Sequence, residues 1–299
     1  MINPNARSCL YIAGGPGGNS IGPAVHEYIA KSLGLDWMCI FLRLPSIDDV
    51  MRLFHVPSFA GGIVTMPHKR TVIPLLDHCD ELVTMLGACN FVYRAPNGQL
   101  HGTNTDWVGI QNAMEATDTD YVSGRIAMVY GAGGASRAAI YALWAGLKCS
   151  KIYLVNRDSN EVAELLQDIH QHSDSYQPDI IHVKTVSQAK TLQTPYHVVS
   201  TVPDFEPVTL EEVEARDILV DFLRRNDSDK GLLVDMCYHP PVTRNIQLAK
   251  QFGWRSVQGF TVVAHQFALQ WKLWTAKTIN EDGVFEMVER LVHEREHTA

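Results

Sequence analysis

Residues 126–157 constrain the fold more tightly than any other stretch of the chain. Ile126-Ala-Met-Val-Tyr130 is a continuous apolar run, followed by Gly131-Ala-Gly-Gly-Ala-Ser136. Arg137 to Leu147 reads RAAIYALWAGL, and Lys151-Ile-Tyr-Leu-Val155 follows. An unbroken apolar run of this length suits a strand buried on both faces of a parallel sheet. Gly131, Gly133 and Gly134 let the backbone bend sharply and let a phosphate approach closely. The spacing predicts a helix over Arg137–Leu147, with Gly146 near its C-cap. Its N-terminus would offer unpaired N–H groups and the positive dipole end to an anion. Strand, glycine turn, helix and strand together form a βαβ unit of the dinucleotide-binding kind. Ser136 stands where such turns carry a third glycine, at a place that needs a small residue for helix–strand packing.

Length and charge limit the alternatives. A chain of 299 residues suits two domains. A hydrophobic content of 46% and a charged content of 19% are those of an ordinary globular protein. The net charge of −8 argues against nucleic acid or an anionic membrane surface as the main partner, yet allows an anionic substrate at a locally positive site. Cys9, Cys39, Cys79, Cys89, Cys149 and Cys237 form no CxxC pair and lie in or beside apolar stretches. They read as reduced thiols of a cytoplasmic protein. No basic segment followed by a long apolar run opens the chain, so no signal peptide is expected. The glycines and Arg137 within 126–147 argue against a membrane helix. His293 and His297 lie four apart, but no cysteine or carboxylate set completes a metal site, and no metal is expected.

Upstream of the glycine turn the chain alternates strand and helix, the pattern of an α/β domain. Strands are expected at 9–14, 37–44 and 61–66. Helices are expected from Pro23 to Gly34, after Ser46, and from Pro67 to about His78. A glycine-rich loop spans Gly14 to Gly22. Asn97-Gly98 between 89–94 and 99–103 is a hairpin signal, and Asn104-Thr-Asp106 can cap the next helix. Further strands are expected at 180–183, 197–200 and 232–236, and helices at 160–170 and 243–252. A polar loop is expected from Ser173, and a solvated acidic face over 204–214. A long amphipathic helix is expected over Phe260–Ala276, with Trp271 and Trp274 in a core stripe, and a last one at 285–293. The expected fold class is α/β with two domains. An N-terminal α/β substrate domain, 1–105, is completed by 260–299 as the C-terminal helices return to it. A Rossmann-like dinucleotide-binding domain covers 106–259.

Lys69 and Asp106 are the residues most suited to chemistry. Lys69 sits just after a buried strand, at the expected helix start, where desolvation and the positive helix end would both favour the neutral form. A surface lysine and a helix cap are the plainer readings of the two. His68 reads as a satisfied polar neighbour rather than a base.

Several motifs, in order and over most of the chain, resemble the shikimate and quinate dehydrogenases: GGIVTMPHK (61–69), LGACNFVY (86–93), GTNTDWVGI (102–110), YGAGGASRA (130–138), LVNR (154–157), DMCYHPPVT (235–243) and GFTVVAHQ (259–266). The VTMPHK wording resembles the fungal quinate-pathway members. The resemblance implies oxidation of the 3-hydroxyl of a cyclohexene or cyclohexane carboxylate, a small molecule, with NAD or NADP. It implies that Lys69 takes the hydroxyl proton and that Asp106 is its carboxylate partner. It also implies that Ser20, Thr65, Asn90, Thr105, Tyr238 and Gln266 bind the substrate. The cofactor would be held by Gly131, Ala132, Gly133, Gly134, Ala135 and Ser136, with Asn156, Arg157, Asp158, Thr201 and Gly259. A monomer or homodimer is expected.

Two departures stand out. The family's first loop carries two serines that bind the substrate carboxylate; here the first is Ser20 but Gly22 occupies the second position. Backbone N–H groups of the loop could replace the missing donor, or the substrate could differ. After LVNR, where NADP-specific members carry an arginine, this chain has Asp158-Ser-Asn-Glu161. Arg157 could still grip a 2′-phosphate, but the carboxylates would repel it and favour a 2′-hydroxyl, hence NAD. A ligand-sensing regulator on the same fold, lacking turnover, is the alternative function.

Overall fold

The computed structural model describes residues 8–15, 20–119, 122–172, 174–226 and 229–296. Ser173, His297 and the middle of the glycine loop, 16–19, lie outside them. The chain divides into two compact units, Met1–Thr105 with Gln266–Ala299, and Asp106–His265.

The first unit is built from β1 (Ser8–Gly14), α1 (Gly22–Ser32), β2 (Trp37–Arg43), α2 (Ile47–Phe54), β3 (Phe59–Val64), β4 (His78–Cys79), α3 (Glu81–Leu86), β5 (Phe91–Arg94) and β6 (Leu100–Thr103). Its mixed sheet runs β2-β1-β3-β5-β6-β4. β1 lies parallel to β2 and β3, while β5 runs antiparallel to β3 and β6. The helix starts follow local chemistry. Pro23 sits in the first turn of α1, the Ser46 hydroxyl accepts from Asp48 N at 3.2 Å at the start of α2, and Asp80 accepts from Val83 N at 2.8 Å at the start of α3. Gly98 takes a φ of 88° in the β5–β6 hairpin. Phe54, Phe59, Val64, Val83, Val92 and Leu100 meet in this unit's core.

The helix expected from Pro67 to His78 does not form. Turns lead instead to a short 3-10 segment, Ile73–Leu75, and then β4. Pro74 cannot donate to a helical ladder. The Lys69 carbonyl, which a helix would use internally, accepts from Cys89 N at 2.8 Å. The helix end expected beside Lys69 is therefore absent.

The second unit comprises α4 (Asp106–Thr117), β7 (Ile126–Tyr130), α5 (Gly134–Tyr141), β8 (Lys151–Val155), α6 (Ser159–His170), β9 (Ile180–His182), α7 (Val186–Ala189), β10 (His197–Ser200), α8 (Leu210–Arg224), β11 (Leu232–Asp235), α9 (Arg244–Gln251), β12 (Arg255–Val257) and α10 (Gly259–Ala264). Its sheet is β12-β11-β10-β7-β8-β9, parallel throughout. Counted from β7, this is the doubly wound order with its switch point between β7 and β10. Met128, Tyr153, Val198, Phe222, Leu233 and Trp254 are buried in its core.

Two helices differ from expectation. The one after the glycine turn starts at Gly134 and passes at Ala142 into a wider π turn that ends at Gly146. Gly146 is the last helical residue, beside the Leu147 C-cap as expected, and a Cβ there would lie 2.3 Å from Gln111 Oε1, so it is also a site of close side-chain approach. The stretch 260–276 is broken at His265–Gln266. Its first part, α10, packs on α4 within the second unit. Its second part, α11 (Phe267–Thr275), belongs with α12 (Glu281–Glu296) to the first unit. Trp271 is buried and donates from Nε1 to His26 Nδ1 at 3.1 Å. Among the described residues no helix is long and apolar enough to cross a membrane.

Candidate functional site

In the first unit, the loops after β1 and β3 are tied together. Thr65 N donates to Ala13 O at 2.9 Å and Gly15 N to Met66 O at 2.6 Å. The bond from Cys89 N then joins Lys69 to the residue before Asn90, and Asn90 O accepts from Val64 N at 2.8 Å. Thr65, Lys69 and Asn90 thus sit on one backbone scaffold. His68 is buried with its Nε2 on Leu44 O at 2.6 Å, a satisfied histidine that buttresses the loop.

Beside this scaffold lies a buried polar floor. Thr105 N donates to Asn90 Oδ1 at 2.6 Å. Asn90 Nδ2 donates to Thr105 Oγ1 at 3.1 Å and to Gln266 Oε1 at 3.2 Å. Thr105 Oγ1 donates to Gln266 Oε1 at 2.8 Å. Sequence reading missed a fourth member. Gln270, one helical turn beyond Gln266, donates from Nε2 to Thr105 Oγ1 at 3.0 Å and to Gln266 Oε1 at 3.3 Å. The i, i+4 spacing of Gln266 and Gln270, with Phe267 and Trp271 beside them, was the available signal.

Ser20 precedes α1. Its Oγ accepts from Gly22 N at 3.1 Å, which leaves the hydroxyl hydrogen to donate elsewhere. The Ser20 carbonyl is held by Arg295 Nη2 at 3.1 Å, tying α12 to this loop. The position left by the missing side chain of Gly22 is filled: a Cβ there would lie 2.4 Å from Ile12 Cδ1 and 3.1 Å from Ser20 Oγ. Of the loop N–H groups expected to replace the missing donor, that of Gly22 is spent on Ser20 Oγ.

The expected catalytic carboxylate Asp106 and the expected substrate residue Tyr238 belong to the second unit. Asp106 is buried in the first turn of α4. Tyr238 follows β11, and its ring packs against His239 at 4.6 Å.

The glycine turn sits at the switch point. Gly131 has a φ of 122°, and a Cβ there would lie 2.3 Å from Thr201 Oγ1. Ser136 is fully buried and its Oγ meets Thr201 Oγ1 at 2.7 Å. Thr201 in turn donates to Tyr130 O at 3.0 Å, so the β7 and β10 ends are joined through side chains. Gly133 caps α5 without a side-chain bond, and a Cβ on it would meet nothing within 4 Å. An open, uncapped helix start with free N–H groups fits a pyrophosphate.

At the end of β8, Asp158 accepts from Asn160 N at 2.7 Å and caps α6. Glu161 accepts from Asn156 Nδ2 at 2.8 Å. Arg157 is paired with Glu212, which sequence reading had placed on a solvated acidic face. Glu212 also accepts from Val208 N and Thr209 N at 3.0 and 3.1 Å. Those backbone donors, with Arg157, hold its carboxyl below the usual glutamate range, so it stays charged.

These features define a two-unit α/β protein with a doubly wound dinucleotide-binding sheet. The model for the shikimate dehydrogenase substrate-binding domain matches residues 12–92. A quinate dehydrogenase of Emericella nidulans is 37% identical over 94% of this chain and 92% of its own length. The chain belongs to the shikimate/quinate dehydrogenase family. Among solved structures, shikimate dehydrogenase from Aquifex aeolicus covers 96% of the chain and 99% of its own, with a TM-score of 0.76 at 24% identity. Quinate dehydrogenase from Corynebacterium glutamicum, solved with NAD, covers 94% and 98%, with a TM-score of 0.76 at 23% identity. Both share the fold.

Proposed function

We propose that the first unit binds shikimate or quinate, that the second binds the cofactor, and that the chain oxidises the substrate's 3-hydroxyl reversibly, with NAD preferred. The observation that carries the substrate reading is the polar floor, which gathers Asn90, Thr105 and Gln266 from three distant stretches at hydrogen-bond distance. Amide and hydroxyl groups of this kind suit a ring polyol. Ser20, whose hydroxyl hydrogen is left to donate, serves the carboxylate. Thr65 and Tyr238 line the substrate. Lys69 takes the hydroxyl proton during oxidation, and Asp106 supplies the carboxylate of the catalytic pair. When bound, the nicotinamide supplies the hydride acceptor. Residues 131–136 hold its pyrophosphate, Thr201 and Gly259 the nicotinamide side, and Asn156, Arg157 and Asp158 the adenosine ribose. The preference for NAD is supported by the pairing of Arg157 with Glu212, which neutralises the cation a 2′-phosphate would need, and by the carboxylates of Asp158 and Glu161 alongside.

The test is steady-state reduction of NAD and NADP with shikimate and with quinate. Activity is expected with at least one acid and a higher kcat/KM for NAD. Absence of reduction with every pair refutes the substrate reading, and a higher kcat/KM for NADP refutes the cofactor reading. Lys69→Ala should lower kcat by roughly 10²–10⁴, the scale of losing an acid–base group. A loss smaller than about threefold would remove Lys69 from the proton transfer.

A further inference from the structure

The polarity of the buried floor can be read from one unambiguous donor. A backbone N–H can only donate, so the 2.6 Å bond from Thr105 N fixes the neighbouring Asn90 atom as its oxygen. Asn90 therefore turns its NH2 towards Thr105 Oγ1 and Gln266. Gln266 must answer with Oε1, since its nitrogen there would face another donor. The same oxygen takes the Thr105 hydroxyl at 2.8 Å. Gln270 must then present Nε2 to both groups.

Two consequences follow. Three donors converge on Gln266 Oε1, so its Nε2 N–H groups point away from the floor. The other end of Gln270 is left in a poor position: Oε1 is buried with no hydrogen-bond partner among the described residues, and Gln270 as a whole is 3% exposed. A buried acceptor without a donor is a cost that methionine or leucine of similar volume would avoid. Packing alone does not account for glutamine here.

We propose that Gln270 is a positioning residue, which through Gln266 and Thr105 locks the Gln266 amide with its N–H groups outward, so that this wall of the substrate site donates to an oxygen of the ligand. The proposal rests on the reading of the floor as the substrate site. It makes the site selective for a ligand with an acceptor oxygen at that point, a carbonyl or a hydroxyl receiving a hydrogen bond.

The experiment is substrate and cofactor kinetics of the full chain, with thermal melts as fold control. Gln270→Met removes the donor that holds Gln266 in place. Gln270→Glu replaces that donor with an acceptor of the same shape, which repels Gln266 Oε1 and strains the amide's position. The acid substrate's KM is expected to rise roughly threefold to tenfold in Gln270→Met and further in Gln270→Glu. kcat should stay within about threefold and the cofactor KM unchanged, a split that general damage to the fold would not give. Gln266→Ala separates the two failures. If it raises the substrate KM while both Gln270 variants leave it unchanged, the positioning role is overturned but the floor remains the substrate site. If Gln266→Ala also leaves KM unchanged, the site reading itself falls. Should the Gln270 variants lose a cooperative melt, Gln266→Glu carries the test, because it keeps the buried oxygen and replaces only the outward N–H. An unchanged KM there overturns the proposal.

Discussion

Asp235 closes β11 with a carboxylate that is 1% exposed. Burial pushes its pKa from the usual value up to about 6, against the opposing bonds from Thr243 Oγ1, at 2.6 Å, and from Cys237 N, at 3.1 Å. A carboxyl whose folded pKa is raised binds its proton more tightly in the folded chain. Its contribution is therefore fully present below the unfolded pKa and is lost as pH rises through the folded value. A rise of about two units corresponds to roughly 3 kcal/mol. About 1.4 kcal/mol of that falls between about pH 5 and about pH 8, the rest at lower pH. Asp235→Asn removes the titration while keeping an oxygen for Cys237 N and a polar atom facing Thr243 Oγ1. Urea denaturation followed by tryptophan fluorescence at several pH values measures the difference between the two proteins. The stability of Asp235→Asn relative to the wild type should increase by roughly 1.4 kcal/mol from about pH 5 to about pH 8. A difference that does not change with pH, or one that changes in the opposite sense, refutes the burial argument.

Two further perturbations test the site. Gly22→Ser restores the second serine of the family loop but drives a Cβ against Ile12; it should destabilise the chain by roughly 1–3 kcal/mol without lowering the substrate KM, and a lower KM with an unchanged melt would count against this packing. Glu212→Gln keeps an acceptor for Val208 N and Thr209 N while freeing the charge of Arg157. It should raise the NADP/NAD ratio of kcat/KM by about tenfold, equivalent to about 1.4 kcal/mol, and an unmoved ratio would place the ribose contact elsewhere.

Elements with local signals were legible in the sequence. The strands of the βαβ run, the Asn97-Gly98 hairpin and the helix starts at Ser46 and Pro23 depend on neighbouring residues and formed where expected, while the helix after the glycine turn began three residues early and widened into a π turn. The misreadings arose where distant contacts decide. Pro67 has the look of a helix start, but Lys69 O is claimed by Cys89 N and Pro74 cannot continue the ladder. The stretch 260–276 has helical spacing throughout, yet it breaks where the chain passes from one unit to the other. Among the site residues, Gln266 came from a motif. Gln270 belonged to none of the quoted motifs, and its place in the floor depends on Thr105, far away in sequence. Glu212 was read only as part of an acidic run, because Arg157, its partner, lies 55 residues earlier.

Glu212 has a consequence for how this chain can change. With Thr209 it forms the capping box that starts α8, and Glu212 N donates to Thr209 Oγ1 at 3.2 Å. The same side chain holds Arg157 at the end of β8. On the proposed assignment of the ribose end, selectivity for the nucleotide and the start of a fifteen-residue helix therefore share one residue. Most replacements that would admit a 2′-phosphate would also unfasten the helix. Glutamine alone keeps the reach and the acceptor while dropping the charge. At this position, drift from one cofactor to the other is thereby confined to a narrow mutational route, so the helix start restrains what this residue can contribute to a change of cofactor.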